Sequence, residues 1–321
     1  MSTPLKVAVI GCGYLGQFHA EKFAQLPETE LVAVVDTDAQ QAEKVAKKCK
    51  TQALTDYQAI LDQVDAVSIV TPTHTHYAIG KVCLDAGLHV LMEKPICNTV
   101  AEAETLIECA RAHNCVLQVG FLERFNPIVT ATVAEIQQPM FIESARIMPF
   151  NPRNKDINVV LDLMIHDIDL IQSIVQSPIT SIDASGACVL TERTDIANAR
   201  IHFANQCVAN VTASRISLKS ERKMRIFQGD AYFSLDFQEK QVSVCTRGQG
   251  EMFPGIPNIK RQVTKAKKPD ALRDEIQDFA AAILHKRPPL VTGEAGKSAL
   301  ETALKITDMV TSGPHYRAAK A

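Results

Sequence analysis

Asp162 and His166 stand one helical turn apart within residues 159–176, a segment that is otherwise almost wholly apolar. Asp162, His166, Asp169 and Ser173 recur at i, i+4, i+7 and i+11, so they stack along one face of a helix. A helix apolar on its other sides is normally buried. Its polar stripe must then open onto water, onto paired groups or onto a pocket, because carboxylates are rarely buried without partners. An aspartate one turn before a histidine can orient the imidazole, as a histidine that moves protons near neutral pH requires. The same residues also fit an aspartate serving the helix N-terminus beside a structural histidine. A third group of this kind is Lys94, in Glu93-Lys94-Pro95 at the end of an apolar strand. A lysine there needs a partner or a ligand, and Glu93 is one candidate partner.

The elements that would position these groups begin with a nucleotide fingerprint. A short apolar strand over 5–10 runs into Gly11-Cys12-Gly13-Tyr14-Leu15-Gly16 and then into a helical pattern over 17–26. A second strand at 31–35 ends in Asp36, about twenty residues beyond the last glycine, which is the expected register for a dinucleotide site. Gly11 permits the tight turn, Gly13 lets backbone approach a pyrophosphate, and Gly16 lets the helix pack closely on the strand. The phosphates then meet the free N–H groups of the helix N-terminus. Asp36 accepts from the adenine ribose hydroxyls. No Arg or Lys occupies positions 37–40 to welcome a 2′-phosphate. The expected cofactor is therefore NAD rather than NADP.

A parallel, doubly wound sheet follows from the alternation of helical segments at 38–49, 55–62, 74–86 and 99–113 with strands at 65–71, 88–93 and 115–121. Open sheets of this kind bind ligands beyond the carboxyl ends of their strands. At those ends lie Thr71-Pro72-Thr73-His74-Thr75-His76, the Glu93-Lys94-Pro95 triplet and the run from Gly120 to Pro127, which contains Arg124 and Asn126. Thr71 and Pro72 suit the nicotinamide side of a cofactor. His74 and His76 have no accompanying cysteine and open a helix, so no metal is expected. After a helix over 126–138 the chain turns strand-rich, at 140–148, 179–190, 197–204, 207–216, 222–227, 231–237 and 241–246. Within 207–215 apolar and polar positions alternate, as in an antiparallel sheet with one covered face. Segment 247–269, rich in Gly, Pro and Lys, reads as a loop. Two closing helices at 270–285 and 293–312 have core-facing spacings such as Leu272, Ile276, Phe279 and Ile283.

The whole composition suits a two-domain enzyme of the cytoplasm. With 321 residues the chain exceeds the size at which a single core stops growing. The expected division is 1–121 as a Rossmann domain and 122–321 as a second α/β domain on a large, mainly antiparallel open sheet, its last helices packing back toward the first. A hydrophobic share of 46% with 22% charged residues argues against disorder. The formal net charge of −2 gives no footprint for nucleic acid. One basic run, Lys260, Arg261, Lys265, Lys267 and Lys268, reads as a solvated loop, the alternative being that with Arg153 it meets a diphosphate. No signal peptide or membrane-length apolar stretch is visible, so no membrane partner is expected. Nine scattered cysteines without a C-x-x-C pair read as small buried residues rather than a disulfide or zinc set.

Together, the glycine fingerprint, Thr-Pro-x-x-x-His at 71–76, Glu-Lys-Pro at 93–95, Gly-Phe-x-x-Arg-Phe-x-Pro at 120–127 and the Asp-x-x-x-His helix resemble the Gfo/Idh/MocA oxidoreductases over essentially the whole chain. The resemblance implies Lys94 and His166 at a reacting hydroxyl with Asp162 beside them, and Arg124 toward the substrate. It implies a cis Lys94-Pro95 bond and a homodimer or homotetramer built through the open sheet. Thr73, His76 and Glu93 join Tyr14 and Leu15 as expected cofactor contacts, and Asn126 and Arg153 join Arg124 on the substrate side. Where many relatives carry Gly two residues before the histidine this chain has Met164, which would narrow the pocket. Within the family, the phrase at 162–170 is similar to a bacterial subgroup that oxidises the 3-hydroxyl of UDP-N-acetylglucosamine toward the 3-amino sugar of lipid A. An inositol or free-sugar dehydrogenase of the same family shares every motif. A non-catalytic NAD-sensing regulator is the alternative from another class, and it tends to lose the lysine or histidine retained here.

Overall fold

In the computed structural model, which describes residues 3–151, 157–266, 270–313 and 316, the chain separates into two compact units. The first comprises Met1–Phe125 and Asp270–Leu300, the second Asn126–Pro269 and Glu301–Ala321.

The first unit is built on strands β1 (Leu5–Ile10), β2 (Thr29–Val35), β3 (Gln52–Leu54), β4 (Ala66–Ile69), β5 (His89–Glu93) and β6 (Leu117–Gly120), with helices α1 (Gly16–Gln25), α2 (Ala39–Cys49), α3 (Thr73–Asp85) and α4 (Val100–Ala112) between them. All strands pair in parallel in the order β3-β2-β1-β4-β5-β6. The order reverses at β1 and β4, the switch point at which such sheets bind ligands. Strand β4 is buried at every position, as expected of a parallel strand covered on both faces. Asp38 caps α2 by accepting the N–H groups of Gln40 and Gln41, and Thr99 with Glu102 forms a capping box on α4. Helix α7 (Ala271–Leu284) belongs to this unit and sends Ile276, Phe279 and Ala280 into the core shared by β1, α1 and β2.

The helix expected at 55–62 is a single 3-10 turn, Tyr57–Ile60. The Asp56 side chain takes the Gln58 N–H at 2.9 Å, a local bond that competes with continued helix. The three-residue β3 carries no pattern long enough to be read from sequence.

The second unit holds α5 (Pro127–Val133), β7 (Phe141–Ile147), α6 (Ile165–Val175), β8 (Ile179–Ala187), β9 (Ile196–Phe203), β10 (Val208–Ser214), β11 (Glu221–Phe227), β12 (Ala231–Asp236), β13 (Gln241–Phe253) and β14 (Ile256–Lys265). These strands form one eight-stranded sheet ordered β14-β13-β12-β11-β7-β10-β9-β8. Every pairing is antiparallel except β7 with β10. The alternation read in 207–215 is a true two-faced strand: Ala209, Val211 and Ala213 are buried while Asn210 and Thr212 are partly exposed. The expected loop at 247–269 is corrected, because its residues to Lys265 form the β13/β14 hairpin at the sheet edge. Backbone pairing rather than side-chain burial makes that hairpin, so Gly and Lys do not exclude it. Lys260, Arg261 and Lys265 lie exposed on β14, and Lys267 and Lys268 fall outside the described residues. Helix α5 is shorter than the expected 126–138, and α8 (Gly293–Thr311) closes the fold, its residues divided between the two units.

Candidate active site

The glycine loop of the first unit is shaped by close approach. Gly11 has φ +98°, and a Cβ there would stand 2.6 Å from the Val70 carbonyl oxygen. A Cβ on Gly16 would stand 1.8 Å from the Gly11 oxygen, so loop and helix meet at a distance no side chain permits. At Gly13 a Cβ would meet nothing within 4 Å. That glycine thus leaves open the approach to the N-terminus of α1, whose free N–H groups would hold a pyrophosphate. Asp36, at the end of β2, ties the loop in place by accepting the Cys12 N–H at 2.7 Å and the Asp38 N–H at 2.9 Å. Carboxylate lone pairs remain for a ribose. Gln41 adds a further tie, its Nε2 donating to the Cys12 carbonyl at 2.5 Å. Tyr14 is 70% exposed and packs edge-on against Phe18, so it can cover a bound nucleotide. These residues fit a dinucleotide cofactor. Burial, with the Asp36 charge beside it, pushes the Cys12 thiol up to about 12, which makes it an inert filler.

Across the switch point, Thr71, Pro72 and Thr73 lead from β4 into α3, and Thr75 donates to the Thr71 hydroxyl at 2.7 Å. His76 is buried, with Nε2 2.8 Å from the Thr71 carbonyl oxygen and Nδ1 2.9 Å from that of Pro95. It therefore clasps the two strand ends to each other. Burial lowers its pKa, against the two carbonyls and the Glu93 charge, which favour the cation. His74, by contrast, is exposed. Lys94 follows β5 at a half-buried position, its peptide bond to Pro95 is cis as the resemblance implies, and its N–H donates to Glu93 Oε2 at 3.1 Å. Glu93 is buried and lies against His19. Arg124, in the 3-10 turn Leu122–Phe125, donates to the Leu290 carbonyl at 3.3 Å.

In the second unit the Asp-x-x-x-His segment starts at Asn158, whose Oδ1 accepts the Leu161 N–H at 2.9 Å. The first turn, Val160–Met164, is a π-helix, and α6 continues from Ile165. Asp162 sits in the wide turn and His166 just beyond it, both partly exposed. Single π-turns of this kind frequently mark functional positions. The stripe read from the sequence does not continue unbroken, because Asp169 is buried. Met164 is fully buried, so its side chain belongs to the core of its unit. Asn126 caps α5 by accepting the Ile128 N–H at 3.3 Å. Arg153 falls outside the described residues.

Sequence reasoning missed the buried support of these segments. In the second unit Arg146 of β7 donates through Nε and Nη2 to both oxygens of Asp167, at 3.0 and 2.9 Å, anchoring the residue next to His166. In the first, His19 and Glu275 stand behind Glu93. Only the polar type of Asp167, His19 and Glu275 within apolar helical patterns hints at them.

Residues 5–121 match the oxidoreductase family with an NAD-binding Rossmann fold, and 139–232 match the GFO/IDH/MocA C-terminal domain. A UDP-N-acetylglucosamine 3-dehydrogenase of Acidithiobacillus ferrooxidans is 39% identical over 303 residues, covering 94% of this chain and 96% of its own. The chain belongs to the Gfo/Idh/MocA oxidoreductase family. Its first unit is the NAD-binding Rossmann domain of such an enzyme, and the protein is an NAD-dependent dehydrogenase. The structure of the Acidithiobacillus enzyme superposes with a TM-score of 0.89 at 37% identity, covering 96% of this chain and 98% of that one. A scyllo-inositol 2-dehydrogenase of Bacillus subtilis is 26% identical over 98% of this chain and 96% of its own. Scyllo-inositol dehydrogenase of Lactobacillus casei, solved with NAD(H) and scyllo-inositol, shares the fold at a TM-score of 0.81, with 22% identity over 96% of this chain and 97% of that one.

Proposed function

We propose that this protein oxidises the 3-hydroxyl of UDP-N-acetylglucosamine to the 3-keto sugar nucleotide. The observation that carries this reading is the end-to-end identity with the Acidithiobacillus enzyme, far above that with the inositol dehydrogenases. Such an oxidation removes a proton from oxygen while a hydride leaves carbon. Bound NAD supplies the hydride acceptor. In this reading Lys94, Asp162 and His166 carry the proton and charge chemistry. His166 takes the hydroxyl proton, Asp162 fixes its tautomer and steadies the imidazolium, and the Lys94 ammonium stabilises the developing alkoxide. Interchanging the roles of Lys94 and His166 gives the same overall chemistry. Arg124, Asn126 and Arg153 contribute to holding the substrate, and Asp36 selects NAD over NADP.

The 3-keto product is set up for transamination on the way to a 3-amino sugar for lipid A, in the cytoplasm where sugar nucleotides are handled. A homodimer or homotetramer through the large sheet is part of the same reading, supported by exposed Phe253, Ile256 and Val263 on its edge hairpin. The test is NAD reduction with UDP-N-acetylglucosamine, UDP-glucose, myo-inositol and scyllo-inositol in parallel. The sugar nucleotide bearing the acetamido group is expected to give kcat/KM at least tenfold above the others. An inositol as the best substrate overturns the assignment.

A further inference from the structure

Behind the strand end that carries Lys94 lies a group of side chains that alcohol oxidation leaves unexplained. His19 of α1, Glu93 of β5 and Glu275 of α7 are 0, 7 and 0% exposed, and one ligand atom of each lies within 4.8 Å of the others. Nδ1 of His19 is 2.9 Å from the Ser68 hydroxyl, and Nε2 is 3.1 Å from Glu93 Oε1. The second Glu93 oxygen accepts the Lys94 N–H. Each Glu93 oxygen thus has one partner, the histidine or the peptide of the lysine, and keeps a lone pair for another donor. Glu275 is the opposite case: among the described residues neither of its buried oxygens has a hydrogen-bond donor. Gln118 of β6 donates through Nε2 to the Glu275 carbonyl at 3.1 Å and leaves its own buried Oε1 without a donor as well.

The region therefore holds a surplus of acceptors. An ionised Glu275 would be a second negative charge beside Glu93 in a site closed to water, and it would find no N–H or O–H to stabilise it. A proton resolves both defects. It removes the charge and turns one oxygen into a donor, with a Glu93 oxygen within 4.8 Å to receive it, as where two neighbouring carboxyls share one proton. A bound cation would have to part the His19 Nε2 and Glu93 Oε1 atoms, which already face each other at 3.1 Å.

We propose that Glu275 is a neutral carboxylic acid in the folded protein and shares its proton with the Glu93 carboxylate, which makes it a positioning residue for Lys94. Neutralised in this way, Glu275 leaves Glu93 a single buried charge, held by α1, β5 and α7 together, and the strand end that aims the lysine is fixed. The charged and titratable groups facing Glu275 agree. Burial raises its pKa well above the ordinary value, and Glu93, with Asp278 on its own helix, raises it further. The imidazole of His19 is directed at Glu93 and Ser68, and Asp278 is itself paired with Arg287 at 2.6 Å.

The catalytic consequence rests on the dehydrogenase reading, whereas the protonation does not. Infrared difference spectra of the full-length protein at neutral pH, wild type minus Glu275→Gln, are expected to show the carbonyl stretch of one protonated carboxylic acid. Absence of that band, or about one equivalent of bound divalent metal that disappears in the variant, overturns the proposal. In turnover, Glu275→Gln, which keeps a neutral donor of the same shape, is expected to stay within about threefold of wild-type kcat. Glu275→Ala is expected to lose at least tenfold in kcat with a smaller change in KM for NAD, and equal kcat in the two variants overturns the positioning role. A wild-type protein that shows the band but oxidises none of the four test substrates refutes the functional reading instead.

Discussion

At the scale of single residues, the assignment of proton and charge roles is the part most open to direct attack. A positioned base contributes about 10²–10⁴-fold, whereas alignment of the reactants can supply about 7–11 kcal/mol. Lys94→Met and His166→Gln are each expected to lower kcat at least tenfold while leaving the dissociation constant of NAD within about twofold, measured by fluorescence titration and steady-state assay. Wild-type turnover in either variant removes that residue from the chemistry. Asp36 has a double duty in the proposed reading, since its carboxylate anchors the Cys12 and Asp38 N–H groups and would also meet the ribose. Asp36→Ser is expected to weaken NAD binding about tenfold, which corresponds to about 1.4 kcal/mol, and to narrow the preference over NADP because the repulsive charge is gone. An unchanged preference, titrated with both cofactors, would show that selection lies elsewhere.

At the scale of elements, the loop between β1 and α1 separates two uses of glycine that look alike in the sequence. Gly16 is demanded by packing, because its Cβ would overlap the Gly11 carbonyl, while Gly13 borders open space. Gly16→Ala is expected to cost about 1–3 kcal/mol or more through forced displacement of backbone, seen as a lowered Tm. Gly13→Ala is expected to keep its Tm within a degree or two and to raise KM for NAD at least tenfold. Equal effects on both readouts would contradict the division. This loop was legible because turn chemistry is local: three glycines, a strand before, a helix after. The hairpin β13/β14 beyond residue 246 was not, since its side chains there are mostly exposed and its order comes from backbone pairing at a sheet edge. The catalytic candidates could be read as an Asp-x-x-x-His spacing and a Glu-Lys-Pro triplet, yet the π-turn at Val160–Met164 could not, because an extra residue per turn leaves no mark in composition. Least legible were the supports, Arg146 under Asp167 and Glu275 behind Glu93. Their partners come from different elements, and only folding makes them neighbours.

At the scale of the whole molecule, each unit carries a buried carboxyl whose titration pulls stability in the opposite direction. In the second unit Asp195, in the turn between β8 and β9, accepts the N–H groups of Val189, Leu190 and Thr191 and the Nε–H of Arg215 at 2.8 Å. Burial alone would raise its pKa, but Arg215 and the three peptide donors outweigh it and hold the carboxyl at about 2, below the ordinary 3.8. Its stabilisation is present above the ordinary aspartate range and is lost as pH falls through about 2. Glu275 in the first unit is raised instead, so its contribution is complete below the ordinary glutamate range and is lost as pH rises through its folded value. Asp195→Asn strands a buried guanidinium and is expected to cost about 3–5 kcal/mol near neutral pH. That corresponds to about 2–4 °C in Tm per kcal/mol for a domain of this size. The Tm gap between wild type and Asp195→Asn, with wild type the more stable, should close on acidification, whereas Glu275→Gln should melt close to wild type in acid and become the more stable of the two as the solution is made alkaline. The two residues share no partner, so the double variant should show the sum of both gaps at every pH. Melting curves of the four proteins across the pH range decide the matter. An Asp195→Asn gap that survives in acid, or a Glu275→Gln variant that never overtakes wild type in alkali, would mean that the carboxyl concerned is protonated differently from what its surroundings dictate.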